Sequence, residues 1–222
     1  MSGAKGAGAR PGPADKAVAG GLQRLRREER LARRRLILDT ARELFSERDF
    51  RSVTARQIAK RAGFSTGVIY RYFTHLDELF LEVFFEGARE LTARVEEAMK
   101  EAGGTCILER FCETYVTYLN ENMTFYQMMG YFMLGGRLSP QAAAEIDTTM
   151  RPLMDRVEQA VRGAGISGDT RLAAHALFSA LNGIMISYAK YPGRSLQEIE
   201  RHTLRLTREV AHRFGGRSGH RG

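Results

Sequence analysis

Val53-Thr54-Ala55-Arg56-Gln57-Ile58-Ala59-Lys60-Arg61-Ala62-Gly63-Phe64-Ser65-Thr66-Gly67-Val68-Ile69-Tyr70-Arg71-Tyr72-Phe73 is the stretch on which the reading of this sequence turns. Thr54 followed three residues later by Gln57 is the capping-box pattern of a helix start, which predicts a short helix from Thr54 to about Arg61. Gly63 ends it, because glycine takes the left-handed conformation that helix ends favour. Ser65 is then the expected cap of a third short helix through Tyr72. Val53, Ile58, Ala59, Phe64, Ile69 and Phe73 fall where side chains bury. Arg56, Lys60, Thr66, Tyr70 and Arg71 are left facing outward. Two short helices joined by a glycine-containing turn have the layout of a helix-turn-helix, whose second helix lies in the major groove of DNA.

Outward from this motif the chain reads as helix almost throughout. A first helix is expected over about Leu22 to Glu47, with Ile37, Ala41, Leu44 and Phe45 on one face. Thr74 with Asp77 signals the start of a long fourth helix to about Glu101, and Gly103-Gly104 breaks the chain there. Further helices are expected at about 105–121, 124–134, 139–162, 169–190 and 195–213. Ser139-Pro140 supplies a cap with proline at the first helical position. Ser195 with Glu198 is another capping box, and Pro152 should kink or break its helix. No sustained apolar/polar alternation marks a strand. The fold class is all-α, with about nine helices.

Charge separates the two ends. The 222 residues carry a net +8. Residues 1–74 hold 17 Lys and Arg against 7 Asp and Glu, whereas residues 75–222 hold 17 against 19. All the positive excess thus lies in the first third, as in a nucleic-acid-binding end joined to a nearly neutral body. A basic amphipathic membrane surface has the same asymmetry. Leu172 to Ala189 lacks charge, but His175, Ser179, Asn182, Gly183 and Ser187 interrupt it, so a buried helix is expected rather than a membrane span. Cys106 and Cys112 fit no zinc or disulfide framework and read as buried thiols. Residues 1–21 are Gly/Ala-rich without the apolar core of a signal peptide, so a disordered basic tail and a cytoplasmic location are expected.

The combination of Ile58-Ala59, Ala62-Gly63, Ser65, Gly67, Ile69-Tyr70 and Tyr72-Phe73, with Leu76-Asp77-Glu78-Leu79 after it, closely resembles the TetR family of transcriptional regulators over about residues 30–85. The resemblance implies an N-terminal helix-turn-helix bundle and a C-terminal helical domain for ligand binding and dimerisation. It also implies a ligand-responsive regulator, a repressor by family expectation, that binds a near-palindromic double-stranded DNA operator as a homodimer. By position, Thr54 matches a phosphate contact and Arg56 a base-reading site. Thr66, Gly67, Val68 and Arg71 match the groove-facing side of the recognition helix, with Ser65 at its start. Tyr70 and Tyr72 match phosphate contacts. Arginine forks onto guanine, and threonine can meet a thymine methyl. Many members have Lys in the first turn of the fourth helix where this chain has Leu76, which leaves His75 and the helix terminus as partial substitutes. Arg24, Arg26, Arg27, Arg30, Arg33, Arg34 and Arg35 along the first helix make a basic arm that is a further candidate for phosphate contact. A solvated helix is the alternative.

The expected organisation is a tail at 1–21, a DNA-binding domain at 22–80, a ligand-binding and dimerisation domain at 81–214 and a flexible end at 215–222. Between Met123 and Met133, eight of eleven residues are Met or aromatic. Flexible thioethers and rings suit an adaptable cavity as well as a plain core. Tyr115, Tyr118, Met123, Tyr126, Met129, Phe132, Met133, His175 and Asn182 are the candidate ligand contacts, with Asn122 and Gln127 as further polar handles. From Phe111 to Gly136 the charged residues are Glu113 and Glu121 alone. A mainly apolar or aromatic effector is therefore expected, with cationic ones allowed. Leu196, Ile199, Thr203, Leu206 and Val210 form a seam on the last helix, and Ala173, Ala176, Ala180 and Gly183 a small-residue face on the one before. Two such helices from each subunit make a four-helix interface. The five histidines show no metal-ligand spacing and no nucleophile motif occurs, so neither an enzyme nor a cofactor is expected. An architectural DNA-binding protein without effector, and a small-molecule binder that has lost DNA binding, are the competing classes.

Overall fold

The computed structural model describes residues 13–102, 107–134 and 138–215, with side chains from residue 20. Among them the order is α1 (Pro13–Glu47), a 3-10 turn (Phe50–Ser52), α2 (Ala55–Ala62), α3 (Thr66–Tyr72), α4 (Leu76–Ala102), α5 (Ile107–Glu121), α6 (Met123–Met133), α7 (Pro140–Gly163), α8 (Thr170–Tyr188) and α9 (Leu196–Gly215). No strand occurs among the described residues. The chain divides into two compact units, Met1–Leu76 and Asp77–Gly222.

Two expectations are corrected at once. Helix α1 starts at Pro13 rather than at Leu22. Proline is preorganised for a first helical position, and Ala14, Ala17 and Ala19 are the strongest helix formers. Residues 1–12, the Gly103-Gly104 break, Cys106, Gly136 and the tail beyond Gly215 lie outside the described residues. Helix α7 also continues through Pro152 instead of breaking there. The missing N–H forfeits one backbone bond, while Leu153, Val157, Ala160 and Val161 directly after it are fully buried. Packing of α7 against α5 and α8 keeps the helix continuous.

In the first unit, α1 packs on α2 and α2 on α3. Ile37, Leu38, Ala41, Leu44 and Phe45 from α1 meet the core that includes Phe50, Val53, Ile58, Ala59, Ile69 and Phe73. The Thr54–Gln57 box forms as expected: Thr54 N donates to Gln57 Oε1 at 2.8 Å, and Gln57 N to Thr54 Oγ1 at 3.3 Å. Gly63 sits at φ 73°, which carries the chain around into α3. Arg61 bonds Glu47 at 2.6 Å and so ties α2 to the end of α1.

In the second unit α5 is the hub, touching α6, α7, α8 and α9. Phe111, Cys112, Tyr115, Val116, Tyr118 and Leu119 are all buried along it. Asn120 donates to Thr203 Oγ1 at 3.0 Å, and Arg208 donates to Glu113 at 2.6 Å, so α9 is bound to α5 by polar ties as well as apolar area. Of the seam read on α9, Ile199 and Thr203 are buried within one chain, Leu196 is exposed, and Leu206 and Val210 are half-buried.

Candidate nucleic-acid interface and effector region

The first unit presents one face of α2 and α3 to solvent. Arg56 and Lys60 on α2 are exposed, as are Gly67, Tyr70 and Arg71 on α3. Tyr70 is 52% exposed, a large ring that the core leaves uncovered. Thr66, Val68 and Tyr72 are half-buried, because the opposite side of the same short helix carries the fully buried Ile69. A methyl on Gly67 would meet nothing nearer than Ser65 Oγ at 3.9 Å, so the first turn of α3 has bare backbone on its outer side. His75 is exposed immediately before α4, and Leu76 is half-buried.

Two of the sequence-derived roles change in detail. Ser65 has the extended backbone of a cap, yet its hydroxyl makes no capping bond. Val68 N bonds the Ser65 carbonyl at 3.0 Å, which tightens the turn through the backbone and leaves the exposed hydroxyl facing outward. Thr54 is the reverse case. Its hydroxyl donates to Gln57 Oε1 at 2.9 Å, so that proton is engaged within the capping box. A phosphate at this helix start would meet the leading amides of α2, which lack intrahelical partners.

The arginines of α1 also sort themselves. Arg24 lies by Glu28 at 3.7 Å, Arg33 pairs with Glu29, Arg35 pairs with Asp39 at 3.1 Å, and Arg34 lies over the Phe73 ring at 5.0 Å. Arg26, Arg27 and Arg30 have no such partner among the described residues. A groove of about 360 Å³ runs between the helices, lined by Arg26, Glu29, Arg30, Arg33, Arg71 and Tyr72. Arg71 also lies over the Tyr72 ring at 5.7 Å. The cations of α1 thus join the face of α3 in one basic surface, a contiguity that the sequence spacing of more than 40 residues did not reveal.

In the second unit the polar side chains converge on Asn182. The buried Tyr115 hydroxyl donates to Asn182 Oδ1 at 3.2 Å and lies 4.0 Å from Met129 Sδ. Tyr126 donates to the Asn182 carbonyl at 3.4 Å, and Asn182 Nδ2 to the Phe178 carbonyl at 2.8 Å. Burial pushes the Tyr115 phenol well above its usual range, so it stays a neutral donor. Beside this node lies an aromatic cluster. Phe84 stacks on Phe125 at 5.3 Å and meets Phe132 edge-on at 5.1 Å. A methyl on Gly87 would lie 2.6 Å from Phe125, so the close approach of that ring to α4 requires glycine.

The remaining candidates separate. Tyr118 donates to the Gly87 carbonyl at 2.9 Å with Arg94 over its ring, and so joins α5 to α4. Met123 is half-buried, and so are Asn122 and Gln127, with Asn122 donating back to the Tyr118 carbonyl at 3.0 Å. Met133 is 60% exposed at the end of α6. His175 is exposed on α8 rather than buried in a core, and stands outside the Asn182 node. The reason is an open side of α8 that its apolar sequence concealed: Leu172 is 65% and Ile186 72% exposed, with Ala176 and Ser179 exposed between them. No described helix is long and apolar enough to cross a membrane.

Known regulators share parts of this sequence and its fold. Over 133 residues the chain is 26% identical to the HTH-type transcriptional regulator UidR of Escherichia coli K12, a span of 60% of this chain and 66% of UidR, just under two thirds of its length. It is 28% identical to the HTH-type transcriptional activator FasR of Mycolicibacterium smegmatis over 162 residues, 72% of this chain and 71% of that protein. Among solved structures, the TetR-family repressor FadR of Thermus thermophilus, in complex with lauroyl-CoA, shares the fold at a TM-score of 0.55 and 24% identity, over 80% of this chain and 94% of its own. Residues 37–83, the stretch that holds the helix-turn-helix, match the model of the tetR family of bacterial regulatory proteins.

Proposed function

We propose that the chain is a cytoplasmic, ligand-responsive transcriptional regulator that binds a near-palindromic DNA operator as a homodimer and represses by occupying it. The carrying observation is the exposed face of α2 and α3. Arg56, Gly67, Tyr70 and Arg71 stand clear of a capped, buried scaffold, with Arg26 and Arg30 of α1 alongside. Arginine reads guanine edges, and the tyrosine hydroxyl and the arm reach phosphates. Selecting bound fragments from random duplexes tests this. The expected result is a two-fold repeated motif whose half-sites are about one helical turn apart or a multiple of it. Recovery of unrelated sequences at equal affinity would reduce the protein to an architectural binder.

The effector we assign to the α4–α6–α8 region is mainly apolar with one or two hydrogen-bonding groups. Met129 and the aromatic cluster supply adaptable apolar surface, and Tyr115, Tyr126 and Asn182 supply neutral polar handles. A fatty-acyl chain, the apolar part of the lauroyl-CoA held by the Thermus protein, is one molecule of this kind. Helix α4 begins where the two units join, and it touches this region through Phe84 and Gly87. Release then requires the ligand to favour one position of α4 over another, a coupling of about 1–3 kcal/mol in such systems. Operator release scored against uncharged, cationic and acyl compounds, lauroyl-CoA included, tests the assignment. A response confined to compact, highly anionic compounds would overturn it.

A further inference from the structure

The turn between α8 and α9 builds a second cleft, which neither the DNA face nor the effector region uses. Tyr188 closes α8, Pro192-Gly193 reverse the chain, and Ser195 with Glu198 cap α9. The cleft has a volume of about 430 Å³, and Tyr188, Tyr191, Arg194, Arg201, His202 and Arg205 stand around it. Glu198 is the one carboxylate of the lining, and it is already engaged. It accepts from Ser195 N at 2.8 Å and Ser195 Oγ at 2.9 Å, and it pairs with Arg194 at 3.4 Å.

Arg201 and Arg205 are four residues apart on one side of α9, exposed, and without an ion pair among the described residues. Like charges at that spacing oppose a helix, so folding alone gives no reason for the pair. Further along the same helix Arg208 is matched to Glu113 and Arg213 to Glu209. Flat rings adjoin the unmatched cations. Tyr188 and Tyr191 stack at 6.0 Å and 25°, and His202 meets Tyr188 edge-on at 4.8 Å. Tyr191 is 50% exposed, so one ring face remains open.

We propose that this cleft binds a small anion carrying a flat aromatic ring. The ring lies on Tyr191, and the anionic group lies between Arg201 and Arg205, whose forked donors match phosphate and carboxylate oxygens. A simple inorganic anion would leave the aromatic side unused, and a neutral ring would leave two guanidinium groups unmatched. A mononucleotide and an aryl carboxylate share the required chemistry, and the experiment separates them. The site stands independently of DNA and effector binding.

The test is calorimetric titration of the full chain at low salt with AMP, 4-hydroxybenzoate, inorganic phosphate and adenosine. At least one of the two aromatic anions should bind about tenfold or more tightly than phosphate or adenosine. AMP alone would identify a phosphate site, and hydroxybenzoate alone a carboxylate site. Arg201→Ala with Arg205→Ala should weaken that binding about tenfold or more, and Tyr191→Ala should reduce it to the level of phosphate. All three side chains are exposed, so melting temperatures should match the parent. Aromatic anions that bind no better than phosphate or adenosine would overturn the proposal, as would affinity unchanged in these variants. It also fails if charge reversal at Arg201 and Arg205 alters particle mass in light scattering while leaving aromatic-anion binding untouched, since the cleft is then a contact between copies.

Discussion

Gly67 isolates recognition from folding more cleanly than any charged residue does. An added methyl finds open space, and alanine favours a helix over glycine by about 0.8–1.0 kcal/mol. Gly67→Ala should therefore leave the melting temperature unchanged or slightly raised, while operator affinity falls because the methyl holds the first turn of α3 away from the groove. Unchanged affinity in a mobility-shift titration would place that turn outside the contact. Arg71→Ala and Arg56→Ala complement it: each should cost about 1–3 kcal/mol on the preferred site and relax the preference for one base. Cys112 is the opposite kind of residue. Burial in α5, with Glu109 and Glu113 nearby, pushes its thiol up to about 12. At pH 8 about one molecule in ten thousand then carries the reactive thiolate. In a Cys106→Ser background a thiol reagent should label the native protein negligibly and the denatured protein fully. Native labelling at the rate of a free cysteine would mean that α5 opens.

At the scale of single helices, the arm on α1 yields a separable prediction. Arg26, Arg27 and Arg30 are the arm cations without a partner among the described residues, so replacing all three with alanine removes charge without breaking a bond described in the fold. Binding should weaken by a similar factor on every DNA sequence. The slope of log affinity against log salt should become shallower by about 0.9 for each phosphate that the arm no longer neutralises. An unchanged slope would leave the arm idle. What sequence could and could not reveal also divides at this scale. The Thr54–Gln57 and Ser195–Glu198 boxes were legible because both partners lie within one turn. Ser65 was not, because the Val68 amide bonds the Ser65 carbonyl and the hydroxyl is left over. His175 was misplaced because α8 carries only scattered polar residues in sequence, and its neighbours α5, α7 and α9 determine which side stays open. On α9, periodicity marks Ile199 and Thr203 as buried but cannot say that the hydrogen-bond partner of Thr203 is Asn120 of the same chain.

For the molecule as a whole, the decisive question is what covers the open side of α8. Leu172, Ala176, Ser179 and Ile186 recur at helical spacing, so they lie along one stripe of the helix. The small residues at its centre allow close approach, while Leu172 and Ile186 stand out as apolar ends. The dimer prediction is therefore tested on this stripe, since Ile199 and Thr203 of the α9 seam are already buried inside one chain. Ile186→Glu is the discriminating substitution. At 72% exposure the side chain contributes little to the fold of one chain, so helical circular dichroism should be unchanged. Across a two-fold interface the substitution would bury two glutamates with nothing to pair them. Light scattering should then report a monomer. A monomer brings one reading head to DNA, so affinity for the full palindrome should fall to that for an isolated half-site, while sequence preference within the half-site persists. Ile199→Glu provides the contrast: it should unfold the second unit whatever the oligomeric state, because that residue is 7% exposed within its own chain. If the Ile186→Glu protein remains a dimer with undiminished preference for the palindrome, the subunits meet elsewhere, and the exposed stripe of α8 has another partner.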